Sequence, residues 1–303
     1  MGSRESEQPL RRADSVGDRV SKIFEEEVSV GKASLAFRRT PGRGHPVVML
    51  HGMMDCAESW DPFARALSRP TLAFDLPGFG HSSLAGDDIW KWQGLFDRAL
   101  KKLEVDSAFL LGHSLGGALA CALVAKQPER VRSLLVIAPA GFSRIPLAQV
   151  LARPEMEFLL GQTAPRAMRF RPLVNLTYRN LFSHHHDPSD ELISRLVASR
   201  SAMVPGIRNG MHLLRELSEN RLGEIPYEGP VAGLWGEYDR MVPPKYSRKG
   251  FLKIFPEAET DVLEGIGHHP QEEAPGETLD WIAGHTGSSI REPMLVSADL
   301  PFG

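Results

Sequence analysis

Short apolar runs alternate with amphipathic segments along most of this chain, and turns rich in glycine or proline separate them. Runs of four to eight apolar residues are typical of buried strands, and apolar residues spaced three or four apart are typical of helices. The predicted strands are 27–30, 34–37, 47–50, 71–75, 108–111, 131–138, 231–235 and 259–263. The predicted helices between them are 57–67, 88–103, 118–126, 244–254 and 272–282. This alternation predicts right-handed crossovers and a largely parallel sheet.

The alternation is interrupted once, and this interruption defines the predicted domain organisation. Residues 143–222 contain amphipathic helical segments separated by prolines, which indicates a helical insertion into a core made of 23–142 and 223–284. Residues 1–22 and 285–303 are predicted to be flexible tails.

Composition narrows the class of protein without changing this outline. A net charge of -3 on 303 residues argues against a nucleic-acid partner. We expect no transmembrane segment, because no apolar run approaches the roughly 20 residues that a bilayer requires. The charged N-terminus has no apolar core typical of a secretory signal, and with only two cysteines it suggests a cytoplasmic protein. The sequence leaves open whether the Met1-Gly2 start is lipidated and which oligomeric state the protein adopts.

The stretch 107–117, SAFLLGHSLGG, contains the strongest chemical signal. An apolar strand, a sharp turn with Ser114 at its apex and a helix-forming run follow one another, as the pattern G-x-S-x-G requires. Gly112 and Gly116 leave room where a side chain would clash with the strand or the helix. The stretch predicts a strained serine at the apex of a sharp turn, which could act as a nucleophile.

A serine nucleophile needs a base within hydrogen-bond reach and an acid that orients the base. Functional groups of parallel sheets collect beyond the carboxyl ends of the strands, and two later strands end in suitable residues. One is followed by Glu237 and Asp239, the other by His268 and His269. From the residues alone either carboxylate could be the acid and either histidine the base.

Several motifs in order carry a resemblance to a known family: HGMMDCAESW, DLPGFGHSS, GHSLGG, PERVRSLLVIAPAG, WGEYDRMVP and GHHP. The chain resembles the α/β-hydrolases, in particular their cap-bearing branch. The resemblance implies a mostly parallel eight-stranded sheet flanked by helices, with residues 143–222 as a helical cap. It also implies Ser114 as nucleophile, His268 as base and Asp239 as acid. The oxyanion would be bound by the backbone N–H groups of Met53 and Leu115.

The same resemblance implies hydrolysis of a small-to-medium carboxylic ester without a cofactor. Related enzymes that open epoxides or remove halogens use an aspartate where this chain has Ser114. A carbon–carbon bond hydrolase, a thioesterase and an acyltransferase remain alternatives, as does a weakly catalytic scaffold that binds a small molecule.

The candidate pocket residues are His113 and His269 of the predicted core and Phe158, Tyr178 and Met203 of the predicted cap. Between Arg144 and Arg221 there are eleven arginines and no lysine. We interpret them as a solvated helical face, and the alternative is that they bind an acidic or carrier-bound acyl group. The run His184-His185-His186 lacks acidic or cysteine partners at ligand spacing, and we expect no metal.

Overall fold

The computed structural model of the chain describes residues 22–145, 153, 155, 170–183, 188–198, 200–219 and 222–291. One eight-stranded sheet organises this part of the chain, with the spatial order β1-β2-β4-β3-β5-β6-β7-β8. The strands are β1 Phe24–Val30, β2 Ala33–Thr40, β3 Val47–Leu50, β4 Thr71–Phe74, β5 Ala108–His113, β6 Val131–Ile137, β7 Val231–Gly236 and β8 Glu259–Leu263. The pairs β1–β2 and β2–β4 are antiparallel and the other pairs are parallel, which confirms the predicted mostly parallel sheet.

Helices flank the sheet and follow most of the strands. They are α1 Asp61–Ala66, α2 Ile89–Lys102, α3 Leu115–Lys126, α4 Arg171–Leu181, α5 Asp190–Ala198, α6 Arg200–Glu219, α7 Pro244–Ile254, α8 Pro270–Glu273 and α9 Pro275–Thr286. The predicted helix 272–282 is in fact two helices, because proline at 275 lacks an N–H and pushes the residue before it out of the helical conformation. The predicted helix 57–67 begins as the 3-10 turn Ala57–Trp60 and becomes α1 only at Asp61.

Two apolar clusters lie on opposite faces of the sheet, and β3 contributes to both. Its residues Val48 and Leu50 belong to the cluster that α2 and α3 cover, whereas Val47 and Met49 belong to the cluster under α9. All four side chains are fully buried, as the continuous apolar run predicts for a central parallel strand.

Residues 285–291, which belong to the predicted C-terminal tail, are attached to the core. Helix α9 continues to Thr286, and Ile290 forms a β-bridge with Leu67. The Ser68 N–H also donates to the Ser289 carbonyl over 2.9 Å. Polar residues there satisfy backbone groups of the loop after α1, a function that hydrophobic periodicity does not reveal.

The turn between β5 and α3 has the strained backbone that its sequence predicts. Ser114 has φ 50° and ψ -112°, outside the regions that an L-residue ordinarily adopts. A Cβ atom added to Gly112 would overlap the Gly116 carbonyl oxygen, and one added to Gly116 would lie 2.5 Å from the His51 carbonyl oxygen. The turn can therefore form only with glycine at both positions.

We expect Gly116→Ala to lower the free energy of unfolding by about 3 kcal/mol, because its methyl group would press on backbone that cannot move aside. Gly284 in α9 is the matched control, since a Cβ added there meets no atom within 4 Å. Gly284→Ala should stabilise the protein by about 0.5–1 kcal/mol through lower backbone entropy in the unfolded chain. Urea unfolding of both variants measures the difference, and equal effects would contradict the close approach at the turn.

Candidate active site

The structure brings Ser114, His268 and Asp239 together in one hydrogen-bonded row. The Ser114 hydroxyl donates to His268 Nε2 over 3.1 Å, and His268 Nδ1 donates to Asp239 Oδ2 over 2.7 Å. Their residues are 7%, 3% and 3% exposed. The three lie after β5, β8 and β7, at the carboxyl edge of the sheet, as the positions of the strand ends predict.

The two candidate carboxylates have different surroundings. Asp239 Oδ1 accepts from the N–H groups of Met241 and Val242 over 2.8 and 2.7 Å, so both of its oxygens are engaged. Glu237 is exposed, and its carboxylate accepts from the Gly265 N–H over 3.1 Å. The geometry therefore favours Asp239 as the partner of His268.

Two further histidines pack against His268. His113 is buried, and its Nε2 donates to the His268 carbonyl over 2.9 Å. His269 Nδ1 hydrogen-bonds the Tyr178 hydroxyl over 2.8 Å, and its ring stacks on Phe182 at 5.4 Å. Burial, together with the neighbouring imidazoles, holds the pKa of His113 and of His269 well below the usual range. This shift favours the neutral form of both rings.

One ring nitrogen from each of the three histidines lies within 4.8 Å of the other two, close enough to raise the question of a metal ion. Four of the six ring nitrogens already bond to protein: His113 Nε2, both nitrogens of His268, and His269 Nδ1. A metal would have to break the row that joins His268 to Ser114 and Asp239. The cluster is thus arranged for hydrogen bonding.

The loop after β3 lies directly against the turn. A Cβ atom on Gly52 would lie 3.3 Å from the Ser114 Cβ. His51 braces this loop, because its Nδ1 donates to the Gly52 carbonyl over 2.7 Å and its Nε2 accepts from the Leu76 N–H over 2.9 Å. Neither the Met53 nor the Leu115 N–H donates to a protein acceptor within the described part of the chain. Both amides are available to a ligand oxygen.

Helices α4 and α6, which lie within the predicted insertion 143–222, contact loops of the site. A Cβ atom on Gly210 of α6 would lie 3.1 Å from Met53 Sδ and 3.6 Å from Leu115 Cδ2. At the end of α4, the Phe182 carbonyl accepts from the His268 N–H over 2.6 Å. Of the predicted pocket residues in the insertion, Tyr178 reaches the site. Met203 lies in α6 but its side chain is outside the described atoms, and Phe158 and His184 to His186 are outside the described residues.

Sequence reasoning missed an ion pair between the insertion and the core. Arg195 of α5 pairs with Glu272 of α8, and both side chains are largely buried. Burial raises the pKa of Glu272 to about 7, the Arg195 charge opposes that rise, and Asp55 adds to it. No local motif could have identified a pair that is 77 residues apart along the chain.

This raised pKa predicts that stability depends on pH. Because the pKa of Glu272 in the folded protein lies above its ordinary value of 4.5, the stability that this group contributes is present below pH 4.5 and lost as the pH rises to about 7. The glutamine of Glu272→Gln cannot ionise, so the variant does not lose this stability as the pH rises. The free energy of unfolding of the variant minus that of wild type should therefore rise by about 3 kcal/mol between pH 4.5 and about pH 7.

Urea unfolding of both proteins at pH 5 and pH 8 measures this change. The exposed Glu277→Gln is the control and should show no such trend. A difference between Glu272→Gln and wild type that is independent of pH would contradict the buried carboxyl group.

The family model of the alpha/beta hydrolase fold matches residues 45–275. The chain is 30% identical to the dihydrolipoyllysine-residue acetyltransferase component of an acetoin cleaving system from Pseudomonas putida, over 86% of this chain and 69% of that protein. It is 29% identical to the pimeloyl-[acyl-carrier protein] methyl ester esterase of Aeromonas hydrophila, over 81% of this chain and 97% of the relative. A thermophilic esterase from Thermogutta terrifontis has the same fold, with a TM-score of 0.68 at 21% identity over 87% of this chain and 97% of that chain.

The chain therefore belongs to the α/β-hydrolase family, and esterases are among its relatives. Its general class is that of a hydrolase. Among the described helices, none combines the length and the apolar character needed to cross a membrane.

Proposed function

We propose that the protein is a serine hydrolase that cleaves a small-to-medium carboxylic ester through an acyl-enzyme. The observation that carries this proposal is the row from Ser114 Oγ through the His268 ring to the Asp239 carboxylate, with distances of 3.1 and 2.7 Å. The buried Asp239 carboxylate accepts a hydrogen bond from the proton-bearing Nδ1 of His268, which leaves Nε2 free to accept the proton of the Ser114 hydroxyl.

The first half of the reaction forms the acyl-enzyme. Ser114 Oγ attacks the ester carbonyl carbon while His268 Nε2 takes its proton. The oxyanion that develops accepts hydrogen bonds from the N–H groups of Met53 and Leu115, and the second of these lies at the positive end of α3. Collapse of this intermediate breaks the ester C–O bond, and His268 returns the proton to the leaving alcohol oxygen.

The second half regenerates the enzyme. Water attacks the acyl carbon while His268 again accepts a proton. The same two amides bind the second oxyanion, and Ser114 recovers its proton as the carboxylic acid leaves. Every step uses groups of this chain and water, so the mechanism requires no cofactor.

The arginines of the insertion bear on the choice of substrate. Arg171 pairs with Asp190 over 2.8 Å, and Arg195 pairs with Glu272. An acidic or carrier-bound acyl group that used these two side chains would have to displace the carboxylates they already contact. For these two arginines, this competition disfavours a role in binding an acidic group.

A panel of aryl esters of graded acyl length, run beside an acyl thioester and a β-diketone, tests the proposal. We expect turnover of the shorter esters and stoichiometric labelling by a fluorophosphonate, with the label on the peptide that contains Ser114. Labelling without ester turnover would favour the thioester, carbon–carbon or acyl-transfer reactions. Absence of both would favour a binding scaffold.

A further inference from the structure

The backbone of His268 is held on both sides by groups that come from distant parts of the chain. Its N–H donates to the Phe182 carbonyl over 2.6 Å, and its carbonyl accepts from His113 Nε2 over 2.9 Å. A Cβ atom on the preceding Gly267 would lie 2.6 Å from the same Phe182 oxygen. The end of α4 is therefore in direct contact with the loop that carries His268.

One carboxylate joins this loop to the segment after α4. Glu273 Oε2 accepts from the Gly267 N–H over 3.0 Å, and Oε1 accepts from the His269 N–H over 3.3 Å. The Ser183 hydroxyl donates to Oε2 over 3.2 Å. Glu273 thus binds the amides on either side of His268 and the residue next to Phe182.

Hydrogen bonds to a carboxylate are about twice as strong as those between neutral groups. The hydrogen bonds of Glu273 to the Gly267 and His269 amides connect it to the loop that carries His268, so it acts on the reaction through the position of that loop. The Phe182–Ser183 segment contacts both the His268 backbone and the Glu273 carboxylate. Displacement of this segment would therefore displace the loop that carries His268.

We propose that Glu273 is a positioning residue that couples the imidazole of His268 to the Phe182–Ser183 segment of the insertion. This inference rests on the proposed function for its kinetic consequences. When the segment is in place, His268 Nε2 lies within hydrogen-bond reach of Ser114. When the segment moves, the His268 N–H loses its acceptor, the Glu273 carboxylate loses the Ser183 donor, and the row opens.

Glu273→Ala should lower kcat about 100-fold, because a displacement of about 1 Å between reacting groups has an effect of this size. KM should stay within about 3-fold, since substrate contacts are retained. Glu273→Gln retains a carbonyl acceptor, so its kcat should be about 10-fold higher than that of Glu273→Ala. Ser183→Ala should lower kcat by less than Glu273→Ala does. The exposed Glu277→Ala is the matched control and should leave kcat unchanged.

Amide hydrogen exchange measures the coupling independently of activity. In Glu273→Ala the amides of residues 267–269 and also those of Phe182 and Ser183 should exchange faster, with thermal unfolding checked in parallel. Faster exchange confined to 267–269, or an unchanged kcat, would overturn the inference even if wild type hydrolyses esters. If wild type neither turns over esters nor labels, the proposed function fails, and the exchange at residues 182–183 alone decides the coupling.

Discussion

Replacement of Ser114 by alanine is expected to abolish ester hydrolysis, with kcat lowered by about 10⁶-fold. The variant keeps the turn and both free amides but has no oxygen to attack the carbonyl carbon, so the acyl-enzyme cannot form. The residual rate should reflect only binding and the oxyanion contacts. Fluorophosphonate labelling should disappear together with turnover.

Ser107→Ala serves as the matched control for this variant. Ser107 lies immediately before β5, and its hydroxyl hydrogen-bonds His45 Nδ1 over 2.8 Å, away from the row. Its replacement should leave kcat within about 2-fold, as is usual for a surface change. Labelling or turnover that persists in Ser114→Ala would show that another residue is the nucleophile.

The second large effect is expected from Asp239→Asn, which should lower kcat about 10⁴-fold. The N–H groups of Met241 and Val242 require an acceptor where Asp239 Oδ1 now lies. The amide oxygen of the asparagine must occupy that place, which directs its NH₂ group at His268 Nδ1. The ring would then carry its proton on Nε2 and could not accept one from Ser114.

Glu237→Gln tests the specificity of this argument, because Glu237 lies two residues away and was the competing candidate for the acid. Its carboxylate contacts only the Gly265 N–H among the described groups, and its replacement should change kcat less than 3-fold. Comparison of kcat for the two variants with a short aryl ester is the measurement. A larger loss from Glu237→Gln than from Asp239→Asn would reverse the assignment.

The strands, the helices and their succession along the chain could be predicted because they depend on local patterns. A strand such as β3 has an apolar residue at every position, and the turn at Ser114 needs glycine on both sides for steric reasons alone. Element ends were less accurate where a proline at 275 divided a helix, and where residues 287–291 attached to the core through polar contacts.

The candidate nucleophile, base and acid were predictable for a related reason. Residues that follow parallel strands meet at one edge of the sheet whatever the details of packing, so Ser114, Asp239 and His268 could be grouped from strand ends. The choice of Asp239 over Glu237 then came from the family resemblance, and the burial of Asp239 and its contact with His268 agree with that choice.

The sequence alone therefore determined the class of fold and narrowed the candidate row to Ser114, one of two carboxylates and one of two histidines, because strand periodicity and the steric demands of a tight turn are properties of neighbouring residues. Only the tertiary structure revealed the Arg195–Glu272 pair and the contacts of Glu273. Those interactions join residues that are far apart along the chain, and their strength depends on burial, which no local pattern encodes. The backbone conformation of Ser114 depends on its immediate neighbours, whereas the His268 N–H donates to the carbonyl of Phe182, a residue from a distant part of the chain.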